Sequence, residues 1–100
     1  MELKTNYAIS DSELVYLINE NNGDAKDYLY DKYSPLIHKE INKVKKTAYA
    51  LGIDMADLSQ EAMLGFSTAI NSYNETEDVK FITFATICIR RKLLNYIEKH

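Results

Sequence analysis

One stretch of this chain carries side chains whose types and spacing suit chemistry with a ligand. At 100° per residue, Thr83, Phe84, Ile87, Arg90, Arg91 and Leu94 fall on one side of a helix predicted over about Ile82 to Glu98. Ile82, Ala85, Ile89, Leu93 and Tyr96 fall on the other, with Phe81 and Cys88 at its margin. The second side reads as a core face. The first mixes aromatic, aliphatic and cationic groups where an ordinary surface helix is uniformly polar. Such a face suits a nucleic acid with an unstacked base: stacking contributes about 1 to 3 kcal/mol per base, and arginines reach phosphates. Periodicity alone leaves open a second reading, in which a further helix covers these residues.

Covalent and metal chemistry find less support. The sequence contains no paired acid and base, nucleophile elbow, glycine-rich phosphate loop or metal-ligand cluster. Cys88 is the only cysteine, so no internal disulfide forms, and His38 and His100 are too few to complete a zinc site with it. His38 lies among lysines and reads as a solvated side chain. The expectation is a binding module without enzymatic activity, cofactor or metal.

The elements that must position the ligand-facing stretch are helical. With three glycines, one proline and 46% hydrophobic residues, the 100 residues suit long regular elements around one modest core. Ser10 and Glu13 have capping-box spacing ahead of an expected first helix from Asp11 to Asn21, with Leu14, Leu17 and Ile18 as its apolar stripe. Asn22-Gly23 ends it, and Asp24 is the expected cap of a longer segment. That segment carries Tyr28, Leu29, Tyr33, Leu36, Ile37, Ile41, Val44 and Ala48 at helical spacing, with Pro35 expected to kink or interrupt it. Gly52 stands where a left-handed terminator belongs, and Asp54 where the next cap belongs. A third helix is predicted over Met55 to Tyr73, with Leu58, Ala62, Gly65, Phe66, Ala69, Ile70 and Tyr73 on one face and Gly65 permitting close helix packing. Asn74 to Asp78 reads as a loop. The predicted fold is all-α, a single compact bundle of about four helices over residues 11–100, with residues 1–10 as an N-terminal extension.

Net charge is only −3, but the charges are segregated. Residues 1–31 carry seven acids and two lysines, and residues 32–52 five lysines and one acid. Residues 53–79 carry six acids and no base, and residues 80–100 five bases and one acid. Screening over about 8 to 10 Å lets such blocks act as separate surfaces. No segment approaches the roughly 20 apolar residues of a membrane span, and the N-terminus has no signal-peptide pattern, so a cytoplasmic protein without membrane partners is expected.

The residues themselves resemble a family. Asp57-Leu58-Ser59-Gln60-Glu61-Ala62-Met63-Leu64-Gly65-Phe66 resembles the Asp-Leu-x-Gln-Glu-Gly-x-x-Gly-Leu signature of bacterial sigma-70 transcription initiation factors. Lys80-Phe81-Ile82-Thr83-Phe84-Ala85-Thr86-Ile87-Cys88-Ile89-Arg90-Arg91 resembles that family's Lys-Phe-Ser-Thr-Tyr-Ala-Thr-Trp-Trp-Ile-Arg-Gln, at the family's separation from the first motif. Gly23-Asp24-Ala25, Tyr28-Leu29, Lys32-Tyr33, Phe84-Ala85 and Cys88-Ile89 look most like the alternative factors related to the sporulation factor sigma-H. The likeness covers about residues 11 to 100, the family's region 2.

The resemblance implies two interfaces. Asp57, Gln60, Glu61 and Leu64 would contact the clamp helices of the RNA polymerase beta-prime subunit. Phe84 would stack on a flipped adenine of the non-template strand of the promoter minus-10 element, with Lys80, Phe81 and Thr83 lining the strand's path. Arg90 would touch the backbone, while Arg91 and Leu94 would face the upstream edge. Ile87 and Cys88 replace the paired tryptophans that support strand separation, which implies weaker melting. Arg91 replaces a base-reading glutamine, and bidentate arginine prefers guanine. Ala62 replaces a glycine. No region 4 helix-turn-helix follows His100, which gives the expectation of a truncated chain or a fragment. An anti-sigma factor is a further partner the resemblance admits. The alternative function is a helical protein-interaction module, a sigma-like remnant that binds polymerase or a regulator without reading DNA.

Overall fold

The computed structural model describes residues 10–74 and 78–100, and within them four helices: α1 Asp11–Asn19, α2 Gly23–Ala50, α3 Met55–Ser72 and α4 Phe81–Glu98. No strand occurs among the described residues. Most of the expected N-terminal extension and the centre of the Asn74 to Asp78 loop lie outside them.

Local chemistry sets each boundary. Ser10 Oγ accepts from the Glu13 backbone N–H at 3.2 Å and starts α1. The helix ends two residues earlier than expected, because Asn21 takes the left-handed conformation at φ 64°. The Asn21 and Asn22 N–H groups then donate back to the Ile18 and Leu17 carbonyls at 2.9 and 3.0 Å. Asn22 leaves this turn extended, and its Oδ1 accepts from Ala25 N–H at 3.0 Å. The cap of α2 is therefore Asn22, not Asp24, which sits in the first turn where a carboxylate favours the helix dipole.

α2 runs unbroken through Pro35 for 28 residues, so the expected interruption does not occur. Pro35 is on the exposed side of the helix, where the carbonyl deprived of its N–H partner can turn to water. α2 ends as α1 does, with Gly52 left-handed at φ 77° and Ile53 N–H donating to the Ala48 carbonyl at 2.9 Å. The buried Ile53 and Ala48 side chains supply the apolar contact that accompanies this terminator. Asp54 Oδ1 caps α3, accepting from Ala56 N–H at 3.3 Å.

Phe66 is the centre of the core. Tyr30 and Tyr33 of α2 and Phe81 of α4 surround its ring at centroid distances of 4.9, 5.4 and 6.0 Å. Leu14, Leu29, Leu58, Ile89 and Leu93 are sealed around it. The closest helix pair is α3 with α4, and Gly65 makes the approach feasible. A Cβ there would stand 2.8 Å from Ile89 Cα and 2.9 Å from the Cys88 carbonyl oxygen. At about 1.5 Å per residue α2 is about 42 Å long, which accounts for the 44 Å long dimension of the molecule.

Candidate nucleic-acid interface

α4 turns two chemically different sides outward and inward. Ala85, Ile89 and Leu93 are buried at successive turns against α3, and Tyr96 is half-buried. Lys80, Thr83, Ile87, Arg90, Arg91 and Leu94 are exposed, and Phe84 is half-buried. Six of the eight residues expected to face DNA are thus open to solvent and a seventh is partly so. Two expectations about the first turn change. Phe81, expected to line a strand's path, is 2% exposed, while Ile82, expected in the core, is 49% exposed. One fact explains both: the space beneath the start of α4 is filled by the Phe81 ring, which meets Tyr33 and Tyr73 edge-on at 5.5 and 5.2 Å. Phe81 therefore supports the surface from below.

Phe84 has a firm base. Its ring lies against Tyr73 at 5.9 Å and 45°, and the Tyr73 hydroxyl donates to the Val79 carbonyl at 2.9 Å across the α3–α4 connection. A series of rings from Phe66 through Phe81 and Tyr73 to Phe84 thus leads from the core to the outer face. A ring held on one side and open on the other is suited to stacking, since little freedom is lost when a second ring arrives.

Arg90 is not a free cation. Its Nε and Nη2 donate to Glu40 Oε1 and Oε2 at 2.9 and 3.3 Å, while Lys43 Nζ donates to Oε2 at 3.0 Å. Glu40 is 2% exposed. Burial pushes its carboxyl pKa up, but the hydrogen bonds and charges of Arg90 and Lys43 outweigh this and hold it below the usual range. Arg90, half exposed, keeps the rest of its fork toward solvent. Composition marks Glu40 as the one acid in a lysine block, and that was the available signal for this contact.

Cys88 is half-buried, and burial raises its thiol pKa against the opposing charge of Arg91. A thiol so placed is a poor nucleophile. Among the described residues no three His, Cys, Asp or Glu side chains are grouped to hold a metal, and no helix is long and apolar enough to cross a membrane.

The second expected interface lies on α3. Asp57, Gln60 and Leu64 are exposed and Glu61 is half-buried. Positions i, i+3, i+4 and i+7 put all four on one stripe. Tyr96, read from the sequence as core, reaches this stripe from α4. Partial burial and then the nearby Asp57 carboxylate raise its pKa, with smaller contributions from Glu61 and Asp54. The acidic stripe thus lies beside the C-terminal half of α4.

Comparison with known proteins places these surfaces in a lineage. The family model described as Sigma-70 region 2 matches residues 29–100. The RNA polymerase sigma-H factor of Bacillus licheniformis is 27% identical over 90 residues, 90% of this chain and 39% of the relative. The sigma-H factor of Bacillus subtilis (strain 168) matches with the same identity and coverage. The RNA polymerase sigma factor SigI of Bacillus subtilis (strain 168) is 28% identical over 82 residues, 82% of this chain and 32% of the relative. No solved structure matches. The chain spans about two fifths of the length of the sigma-H relatives. With all four helices, both motifs and their spacing in place, the chain belongs to the Sigma-70 region 2 family and is related to the sigma-H-like factors.

Proposed function

We propose that this domain serves transcription initiation by docking on RNA polymerase and presenting α4 to the opened promoter. Asp57, Gln60, Glu61 and Leu64 meet the beta-prime clamp helices. Phe84, flanked by Thr83, Ile87 and Arg91, receives an unstacked base of the minus-10 non-template strand. The names of the sigma-H and SigI relatives, which are polymerase factors, support the partner. The observation that carries the reading is the setting of Phe84: its half-buried ring lies against Tyr73, with Thr83, Ile87 and Arg91 exposed beside it on α4.

The mechanism is differential binding, since no bond is made or broken by the protein. A base paired in duplex DNA cannot reach Phe84, so the stacking energy is available only to the open strand and shifts the equilibrium toward it. At about 1 to 3 kcal/mol, one stacked base favours opening roughly 5- to 150-fold. Ile87, 43% exposed, presents an aliphatic surface to the neighbouring step, where a tryptophan would stack more strongly. Weaker melting and greater dependence on promoter sequence follow.

The test is binding of a labelled minus-10 non-template strand by the chain together with core polymerase. The double variant Phe84→Ala, Arg91→Ala loses the strand while still binding polymerase. If strand binding is undiminished, the domain is an interaction module and does not read DNA. A pull-down with a beta-prime clamp-helix fragment tests the other half: Gln60→Ala weakens capture and Glu61→Lys abolishes it. No capture of the wild type would remove the docking claim.

A further inference from the structure

The exposed side of α2 carries Lys39, Lys43 and Lys46 on successive turns, opposite the buried Ile37, Ile41 and Ala48. Like charges at such spacing repel by a few tenths of a kcal/mol per pair, so the stripe does not help the helix form. Only one acid lies between residues 32 and 53, and it pairs with Lys43 alone of the three, leaving Lys39 and Lys46 without an acid on α2 between those positions. That acid is Glu40, buried, with one oxygen on Lys43 of α2 and both oxygens on Arg90 of α4.

A buried carboxylate is a poor means of joining two helices, because its desolvation consumes much of what the pairing returns. What it does well is hold two cations in fixed positions. Glu40 aligns Lys43 with Arg90 beside the shallow groove floored by Val44, Leu93 and Leu94. Both cations remain about half exposed, at 47% and 49%. The groove opens on the same side of α4 as Leu94, which is itself exposed.

We propose that Glu40 is a positioning residue that locks Lys43 and Arg90 into a cationic ridge, extended along α2 by Lys39 and Lys46, for the phosphodiester backbone of the DNA strand that meets α4. The proposal rests on α4 facing DNA and adds a second helix to that surface. Charge decides the occupant. Three lysines and one arginine against a single buried carboxylate leave the ridge positive, and it is continuous through Arg90 with the face that bears Phe84. The alternative occupant, an acidic protein surface, is an outcome of the test.

The test is fluorescence anisotropy of the chain with a short labelled single-stranded DNA across a salt series. Lys39→Gln combined with Lys46→Gln, both exposed and compatible with folding, lowers the slope of log K against log salt by about 1.4, at about 0.7 for each phosphate that is no longer neutralised. Glu40→Gln separates positioning from bulk charge. It makes the chain more positive, so simple attraction would tighten binding, whereas loss of the fixed ridge weakens it. Circular dichroism checks that this variant folds, and the lysine pair decides the matter if it does not. An unchanged slope in the lysine variant overturns the ridge, as does an absence of binding at low salt; either result leaves the lysines to a protein partner or to solvent. Tighter binding by Glu40→Gln overturns its positioning role. Phe84→Ala keeps the two claims apart, since it lowers affinity without changing the slope. If only the lysine variant has an effect, the ridge stands and the stacking reading fails.

Discussion

The three glycines occupy three different physical situations, and alanine at each gives a different result. At Gly65 the added Cβ would lie 2.8 Å from Ile89 Cα and 2.9 Å from the Cys88 carbonyl oxygen. Comfortable carbon contacts begin near 3.5 Å, so α3 and α4 must part locally by about 0.7 Å. Both obstructing atoms are backbone and cannot rotate aside. Overpacking of this kind costs about 1 to 3 kcal/mol, offset by the gain of about 1 kcal/mol in helix propensity from Gly to Ala. With backbone atoms as the obstacle the cost lies in the upper part of that range, about 2 to 3 kcal/mol, so net destabilisation of about 1 to 2 kcal/mol is expected, which lowers the Tm of a domain of this size by roughly 4 to 16 °C. At Gly52 the cause is conformational: φ is 77°, nothing lies within 4 Å, and alanine costs about 1 to 2 kcal/mol. Gly23, at the first position of α2, has neither constraint. Alanine there restricts the unfolded chain and stabilises by about 0.4 to 1 kcal/mol. Urea unfolding followed by far-UV circular dichroism ranks Gly23→Ala above wild type and the other two below it. Asn at position 52 separates the two destabilising causes. It recovers most of the Gly52→Ala loss, since Asn21 already holds the same left-handed role in this chain, and Gly65→Asn is worse than Gly65→Ala. A Gly65→Ala protein as stable as wild type would refute the close approach of α3 and α4.

Further outcomes follow from charges and rings. Glu40 is held below the usual carboxyl range when folded, so its contribution is present above its unfolded pKa of about 4.3 and is lost as pH falls through the lower folded value. Glu40→Gln therefore flattens the acid limb of a stability–pH profile and costs about 1 to 3 kcal/mol at neutral pH. An acid limb identical to wild type would contradict this. Tyr33 donates to the Asp11 carboxylate in a hydrogen bond joining α2 to α1, and burial first, then that bond and the Asp11 charge, raise its pKa far above normal. Its contribution is complete below the unfolded value of about 10 and is lost as pH rises beyond the raised folded value. Tyr33→Phe thus reduces stability at neutral pH and blunts the alkaline limb, read by urea titration at several pH values. Arg91→Gln shifts base preference at the upstream edge of the element from guanine toward adenine, measured by competition between promoter variants bound by the assembled polymerase.

Much of the fold could be read from the sequence, because its signals are local. Ser10, Gly52 and Asp54 act where their types and spacing suggest, and Gly65 permits the close packing its position implied. Asn21 was missed because its left-handed turn competes with the adjacent Asn22-Gly23, and only the backbone decides which residue turns. Pro35 failed to break α2 because tertiary packing of Leu29, Tyr33, Ile37 and Ile41 on both sides holds the helix. The outward face of α4 emerged from its period, yet Phe81 and Ile82 exchanged places. A helical wheel has no information about how deep the neighbouring helices lie under a first turn. Glu40–Arg90 spans 50 residues, and the Asp57 carboxylate that raises the Tyr96 pKa lies on another helix. Periodicity is blind to pairs of that kind.

A meeting between Phe84 and a base that has left the duplex is the central claim, and the absence of tryptophan from this chain makes it measurable. Phe84→Trp keeps a stacking ring and introduces a reporter whose emission is quenched when a base stacks on it. With core polymerase, and with the wild-type signal subtracted, the minus-10 non-template strand is predicted to quench this indole, and a closed duplex of the same sequence to quench it far less. A tryptophan at the exposed Ile82, off the proposed path, reports neither. Emission from position 84 that ignores the single strand, or falls equally with strand and duplex, would contradict that claim.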